Sequence, residues 1–516
     1  MSQPSDAQEV KTASSANWVL VVAVLGSSMA FLDGTVVNVA LPALQTAFRA
    51  SGADVQWVVQ AYALLLAALL LIGGSLGDRY GRKLVFLAGV VIFTAASLWC
   101  GLAGSIHSVI FARALQGMGA ALLIPESLAL ITGAFPEETR GKAIGTWSAA
   151  SSVMIAVGPV VGGWMVQHLS WRWVFFINLP LAAATILIAL WKVPEQKSEE
   201  ATGPLDWAGA VLATVGLAAA TFSLVELPNG IPYDGLIGGA GAALLVGFLV
   251  VEWRAKNPML PLDLFRSANF AGANLLTFFL YGGLTAVIYY LPQKLIQIEH
   301  YPPTKAGAIL LPVTLLIALL SRWAGGLSAR FGPRLLLIAG PLIIAAAYLL
   351  VVRDSRGVGY WAALFPGVMV LGLGLAVTVA PLTALAMNSA SKERAGSASG
   401  VNNAVSRVAG VVALGVVGVF FSATFASSLS AGLKRSGLTE AEQSAIYAQR
   451  ALLGDVRTSN TKAQAAVDEA FEGSFRLVLE IAAGLSLLSA LAAVWLVRPL
   501  PESQGVAHGN QEVAGE

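Results

Sequence analysis

Apolar runs repeat along almost the whole chain, each about as long as the roughly 20 helical residues that cross a bilayer's hydrocarbon. Polar residues, prolines and glycines punctuate them. The punctuation predicts spans at 18–41, 55–77, 84–103, 108–133, 142–167 and 173–192, two more at 205–226 and 235–253, and a final set at 269–293, 305–328, 334–352, 360–387, 397–425 and 474–497. The expected fold class is an all-α polytopic membrane protein of 14 transmembrane helices, in which two six-helix bundles flank an inserted pair. It divides into a leader at 1–17, a first bundle at 18–192, the inserted pair with its linkers at 193–268, a second bundle at 269–497 and a tail at 498–516. The long loop at 426–473 is rich in helix-favouring residues of mixed charge, so one or two short surface helices are expected there, without chemistry of their own.

Between spans 2 and 3 lies Gly74-Ser75-Leu76-Gly77-Asp78-Arg79-Tyr80-Gly81-Arg82-Lys83, and a weaker copy, Gly325 to Arg334, recurs between spans 10 and 11. The recurrence implies two related halves, the organisation of secondary transporters that rock one bundle against the other. Asp78 followed by Arg79, Arg82 and Lys83, with Gly77 and Gly81 allowing a tight turn, reads as a latch whose charged contacts form in one conformer and break in the other. The plainer reading is that the cations serve the charge bias of the loops and Asp78 caps a helix. Arg330, Gly332 and Arg334 keep the spacing in the second copy, but Ala329 replaces the acid, so the two hinges are not equivalent.

Composition agrees with burial in lipid. With 56% hydrophobic residues, 12% charged residues and 53 glycines, the 516-residue chain carries too little charge to coat a soluble globule. One cysteine and four scattered histidines offer no metal site, and a net charge of +2 does not point to nucleic acid. An even number of spans puts both termini on one side. With the N-terminus inside, the inner loops and tails hold 16 lysines and arginines and the short outer loops hold 6, so both termini are expected in the cytoplasm.

The runs Asp33 to Pro42, Gly74 to Lys83, Arg113 to Ala120, Gly158 to Gly163 and Trp171 to Pro180 resemble, in order and placement, the signature motifs of the fourteen-helix drug:proton antiporters of the major facilitator superfamily. The resemblance covers about residues 15–500. It implies the major facilitator fold around a central cavity. It also implies proton-coupled efflux of small amphipathic compounds or drugs across the bacterial cytoplasmic membrane by antiport, with Gly158, Pro159, Gly162 and Gly163 as the antiport motif of span 5. The implied partners are a small-molecule substrate, protons and the lipid bilayer, for a monomer with no cofactor beyond the proton gradient; a periplasmic adaptor is left open. Two departures stand out: Met154 occupies the position of a further motif glycine, and Arg322 and Arg407 stand in spans that carry extra acids in some relatives.

Ionisable residues inside a span are costly enough to mark function. Asp33 and Arg113 lie at depths of roughly 12 and 8 Å at 1.5 Å per residue, so they can meet, either as a proton-coupling site or as a permanent structural pair. Glu126, after Pro125 in the inner half of span 4, reads as a second proton site or as a partner for a cation. Arg322 and Arg407 read as inner-gate cations, structural or anion-binding. Asn38, Gln116, Asn274, Thr277, Phe278, Tyr281, Met387 and Asn388 are the candidate cavity wall. The arginines keep a proton-coupled transporter of an organic anion or metabolite as the alternative. A membrane sensor or enzyme would need an output domain or catalytic constellation, and the sequence displays none.

Overall fold

The computed structural model describes residues 6–196, 206–230, 233–255, 258–353, 361, 364–390 and 395–498, and only the backbone of residues 6–15, 137–138, 229, 322, 329 and 395–397. The leader's first five residues, the linker at 197–205 and the tail from 499 onward lie outside that set. Fourteen helices are long and apolar enough to cross a membrane. The first bundle holds α1 (Asp6–Phe48), α2 (Gly52–Tyr80), α3 (Arg82–Leu102), α4 (Ile106–Ala134), α5 (Glu137–His168) and α6 (Trp173–Lys192). The inserted pair is α7 (Trp207–Glu226) and α8 (Asp234–Arg254). The second bundle holds α9 (Ala268–Gln293), α10 (Leu311–Phe331, preceded by a helical turn at Pro303–Ala308), α11 (Pro333–Arg353), α12 (Phe365–Asn388), α13 (Ala395–Arg435) and α14 (Thr461–Leu496).

Several helices outrun the lengths that punctuation predicts. Helix α1 continues through Pro42 to Phe48, and α13 and α14 extend toward each other past 425 and 474. The long loop at 426–473 thereby shrinks to Ser436–Asn460, with one surface helix at Glu440–Ala448 and a turn at Arg450–Asp455. Nothing in residues 426–435 breaks a helix, and Leu429, Leu433, Ala463, Val467 and Phe471 bury one another at helical spacing. The surface helix starts on a capping box: the Thr439 amide and hydroxyl both donate to Glu442, at 2.9 and 2.7 Å, and these bonds hold its carboxyl below the usual range.

Small residues set the helix separations. A Cβ on Gly119 of α4 would lie 2.5 Å from the Phe93 amide nitrogen and 2.8 Å from the Gly89 carbonyl oxygen of α3, and one on Gly89 would meet α4 in return. Gly117 sits against the Tyr62 carbonyl and Gly73 against the Ala121 carbonyl, so α2 and α4 also touch backbone to backbone. Lipid supplies no hydrophobic push between helices, and such close approach maximises the dispersion contact that replaces it. Helix α7 packs against α8, α2 and α13, while Leu236, Val246 and Trp253 leave one face of α8 exposed.

Two ends of the molecule are distinguishable: a hinge end, at Gly81 and Gly332, and a loop end, at Ser436–Asn460. Among the described residues, every hydrogen bond between the two bundles lies in the loop-end half. Gln56 and Gln60 of α2 donate to the Leu414 and Val411 carbonyls of α13, both at 3.0 Å. Gln45 of α1 donates to the Leu452 carbonyl and accepts from Gln297, both at 2.7 Å. Thr304 donates to Gln167 of α5 at 2.7 Å. Toward the hinge end, Gly141 and Gly145 of α5 and Gly325 and Gly326 of α10 face open space. The bundles are interlocked at the loop end and parted along α5 and α10 at the hinge end.

Replacing Gly119 by valine is expected to wedge α3 from α4 at a cost of about 1–3 kcal/mol, seen as an earlier thermal unfolding transition of the detergent-purified protein. Gly145→Ala, whose new Cβ meets no atom within 4 Å, should leave that transition unchanged or raise it. Equal transitions for Gly119→Val and the parent would contradict the α3–α4 contact.

Candidate functional site

The first bundle encloses a polar cluster with no opening to solvent. Asp33 of α1 is 0% exposed and Arg113 of α4 only 1%. The Arg113 guanidinium donates through Nη1 to Asp33 Oδ2 and, at 2.7 Å, to Gln116 Oε1; its Nε donates to the Val58 carbonyl at 3.1 Å. Gln116 Nε2 donates to Asp33 Oδ1 at 2.8 Å and to Ser97 Oγ at 2.7 Å. Asn178 Nδ2 donates to the same two oxygens, at 3.2 and 3.1 Å. Tyr62 lays its ring 4.2 Å from the Arg113 carbon and donates to the Ala30 carbonyl at 3.3 Å. Five helices thus converge on one carboxylate, whose two oxygens receive three donors. Protein donors alone satisfy three of the carboxylate's four acceptor positions and leave one on Oδ2 unfilled.

Gln116 therefore does not line a cavity, as its place in span 4 suggested; all of its hydrogen-bonding capacity points at the buried cluster. Ser97 and Asn178 join that cluster without having been singled out. Asn178 lies in the Trp171 to Pro180 motif, which is the only signal for it, and Ser97 is one hydroxyl in an apolar helix, which says nothing of its partner.

The span 5 motif connects this cluster to the other bundle. Gly158 and Gly162 of α5 seat Thr35 and Val36 of α1, within a turn of Asp33, where any Cβ would collide. Gly163 abuts the Pro303 carbonyl of the second bundle, and Gly307 in return abuts the carbonyl of Pro159. One helix face therefore meets α1 and the second bundle at adjacent positions.

At the hinge, Gly81 adopts φ 116°, which a residue with a side chain resists. Asp78 accepts from Arg82 Nε at 3.1 Å and Nη2 at 2.8 Å, and Arg82 Nη1 donates to the Ala129 carbonyl of α4 at 3.1 Å. Lys83 Nζ donates to the Val193 carbonyl at 2.7 Å. These bonds tie α2, α3, α4 and the end of α6 within the first bundle. Gly74 packs on Pro125, and Gly77 lies directly under the Glu126 carboxyl. Glu126 is 0% exposed and neither oxygen has a hydrogen-bond partner, so it pairs with no cation. In the second hinge Gly332 has φ 79°, Arg330 stands 5.2 Å over the Phe331 ring, and Arg334 donates to the Val494 carbonyl at 2.7 Å.

The second bundle offers a different surface. Asn402 of α13 donates to Thr277 Oγ1 at 2.8 Å and to Asn274 Oδ1 at 3.2 Å, so Asn274 and Thr277, both buried, back the wall instead of forming it. In front of them Tyr281, Thr383, Met387, Asn402, Asn403 and Ser406 line a cavity of about 60 Å³. Phe278 is half-buried near it, and Asn388 is exposed where α12 ends. Asn38 is buried on α1 and bonds only its own helix. Arg407 is partly exposed on α13, with no hydrogen bond or ion pair among the described residues; the Arg322 side chain is outside the described set.

Comparison with known proteins places the chain. Residues 23–414 match the profile of the Major Facilitator Superfamily. The chain is 33% identical over 425 residues to the multidrug resistance protein Stp of Mycobacterium tuberculosis, covering 81% of this chain and 78% of that protein. It is 32% identical over 506 residues to the tetracenomycin C resistance and export protein of Streptomyces glaucescens, covering 94% and 93%. Its fold matches the crystal structure of a bacterial homologue of the human lysosomal transporter Spinster, inward-facing and unoccupied, with a TM-score of 0.67 at 18% identity over 95% of this chain and 99% of that one. The profile spans well over half of a chain built from fourteen apolar helices in two interlocked bundles, and the protein is a multi-pass membrane transporter that belongs to the Major Facilitator Superfamily.

Proposed function

We propose that this transporter exports small amphipathic organic compounds across the bacterial cytoplasmic membrane and takes up protons in exchange, with the hinge end and both termini in the cytoplasm. The observation that carries this reading is the Asp33–Arg113 cluster. It is a titratable pair sealed from water, on a helix whose next turn is gripped by the glycines that also hold the second bundle. The names of the two relatives, a multidrug resistance protein and an export protein, support export as its direction. The bias of 16 against 6 basic residues supports the orientation.

On this reading the structure is the cytoplasm-open conformer. The loop-end hydrogen bonds shut the outer gate, and Arg82 and Lys83 of the hinge bond within their own bundle. Opening outward must part Gly163 from Pro303 and Gly307 from Pro159, which frees α5 to slide on α1 beside Asp33. A proton from outside then reaches the free acceptor position on the Asp33 carboxylate, and return to the inward conformer expels it. Because substrate and proton use different surfaces, one in the second bundle and one in the first, they exchange through the rocking motion and not through direct displacement.

Single cysteines at positions 440 and 460, in a protein lacking Cys100, are expected to react with a membrane-impermeant maleimide added to intact cells, and one at position 80 to be protected. The reverse pattern would invert the proposed orientation.

Asp33→Asn should abolish gradient-driven export from proteoliposomes while substrate binding stays within about twofold, since an amide cannot exchange the proton. A purely structural pair behaves differently: Arg113→Ala and Asp33→Asn each lose about 3–5 kcal/mol by leaving a partner unpaired, and replacing both restores export. Full proton-driven export in the double variant would remove Asp33 from the coupling step.

Asp78→Asn frees Arg82 and should slow export about tenfold, equivalent to about 1.4 kcal/mol of barrier, with expression unchanged. Export at the parent rate would reduce the hinge to its charge-bias role.

A further inference from the structure

Beside the cavity of the second bundle stands a positive charge, Arg407, that no described residue pairs. Helices α9 to α13 contain no aspartate or glutamate. On α14, Glu480 is paired with Arg476 at 3.0 Å on the exposed side. In the first bundle Asp33 is bonded to Arg113, Asp78 to Arg82, and Glu126 is sealed between α4 and Gly77. Among the described residues, none forms a hydrogen bond or ion pair with the Arg407 guanidinium. Arg407 lies one helical turn beyond Asn403, which lines the cavity described next, and beside Ala404 and Val408, which pack with residues of α2, so α13 carries it where that cavity meets the first bundle. It follows Ser406, which with Tyr281, Thr383, Met387 and Asn403 lines the 60 Å³ cavity, enough room for an ionised head group.

A guanidinium in a cleft with low-dielectric walls concentrates anions, and its planar fork suits a carboxylate, sulfonate or phenolate. The neighbours complete such a site. The Tyr281 hydroxyl has no hydrogen-bond partner among the described residues, although the residue is half-buried. Met387 offers an adaptable apolar contact, and the hydroxyls of Thr383 and Ser406 already bond their own helix carbonyls at 3.0 Å to Val379 and 2.8 Å to Asn403. Their oxygens then accept hydrogen bonds more readily than they donate them, which leaves Arg407 and the Tyr281 hydroxyl as the donors for an anion.

We propose that Arg407 and Tyr281 form a recognition site for the acidic group of an anionic aromatic substrate. The proposal rests on the export reading for its physiological meaning, but its test needs no gradient, so the two can fail separately. Fluorescein, at a pH where it is ionised, and cationic tetramethylrhodamine methyl ester share a xanthene body and differ in charge. Binding of each to the full-length protein in detergent, followed by fluorescence anisotropy, should show fluorescein bound about tenfold or more tightly, the size expected of a hydrogen bond to a charged group. R407Q should lose that preference with the rhodamine ester unaffected, and R407K should keep most of it. No saturable binding of fluorescein, equal or tighter binding of the cationic dye, or full retention of the preference in R407Q each overturns the proposal. Should R407Q not fold, the parent's preference between the dyes decides. A preserved charge preference without gradient-driven transport supports this site and counts against the export reading alone.

Discussion

Burying Asp33 beside Arg113 constrains everything around it. Either charge alone inside a lipid-embedded bundle costs several kcal/mol, and even the pair repays that only when its remaining hydrogen-bonding groups are satisfied. Gln116, Ser97 and Asn178, each wholly buried, supply that satisfaction, and the Val58 carbonyl and the Tyr62 ring complete the guanidinium's shell. Helices α1, α2, α3, α4 and α6 must therefore keep a fixed geometry as a unit. These five helices move together as one rigid body, and α5 is left free to shift against them.

Rigid bodies need smooth bearings, and the glycines provide them. Where α5 meets the second bundle, Gly163 and Gly307 bring carbonyls against Cα atoms with no side chains to interdigitate. Such a contact is tight yet can separate without any rotamer having to escape a hole. The α2–α13 flank uses the opposite device. Gln56 and Gln60 hydrogen-bond to backbone carbonyls of α13, and Gly418 leaves space for Gln56. One flank can part by sliding and the other by exchanging a few amide bonds, while the inserted helix α7 rides on the second seam.

Much of this was legible in the chain. The number and order of the spans, the repeated hinge and the chance for Asp33 to meet Arg113 followed from apolar run length and rise per residue. The misplaced ends of α13 and α14 arose because punctuation marks where a membrane segment stops being apolar, whereas Leu429, Leu433 and Phe471 show that a helix can continue as an amphipathic pair. Glu126 shows a different kind of limit. Its depth was readable, but its contact with Gly77 depends on which face of α4 meets α2, and that is fixed by the glycines at 73 and 117 acting together. Gln116 was assigned to the wall for the same reason: a polar residue on a transmembrane helix points either to the cavity or to a buried partner, and only three-dimensional packing separates the two.

The two proposed sites together make the transport cycle electrically asymmetric. With substrate bound and Asp33 ionised, Arg113 faces its carboxylate and Arg407 faces the anion, so the outward-going leg carries no net charge at these sites. With substrate released and Asp33 protonated, both guanidiniums are uncompensated and the returning leg carries two positive charges. A membrane potential negative inside acts on each at about 2.3 kcal/mol per 100 mV for a full crossing of the field, and it favours the return of the protonated, empty form. On the proposed exchange, an arginine beside the cavity places the electrical driving force on the step that resets the transporter.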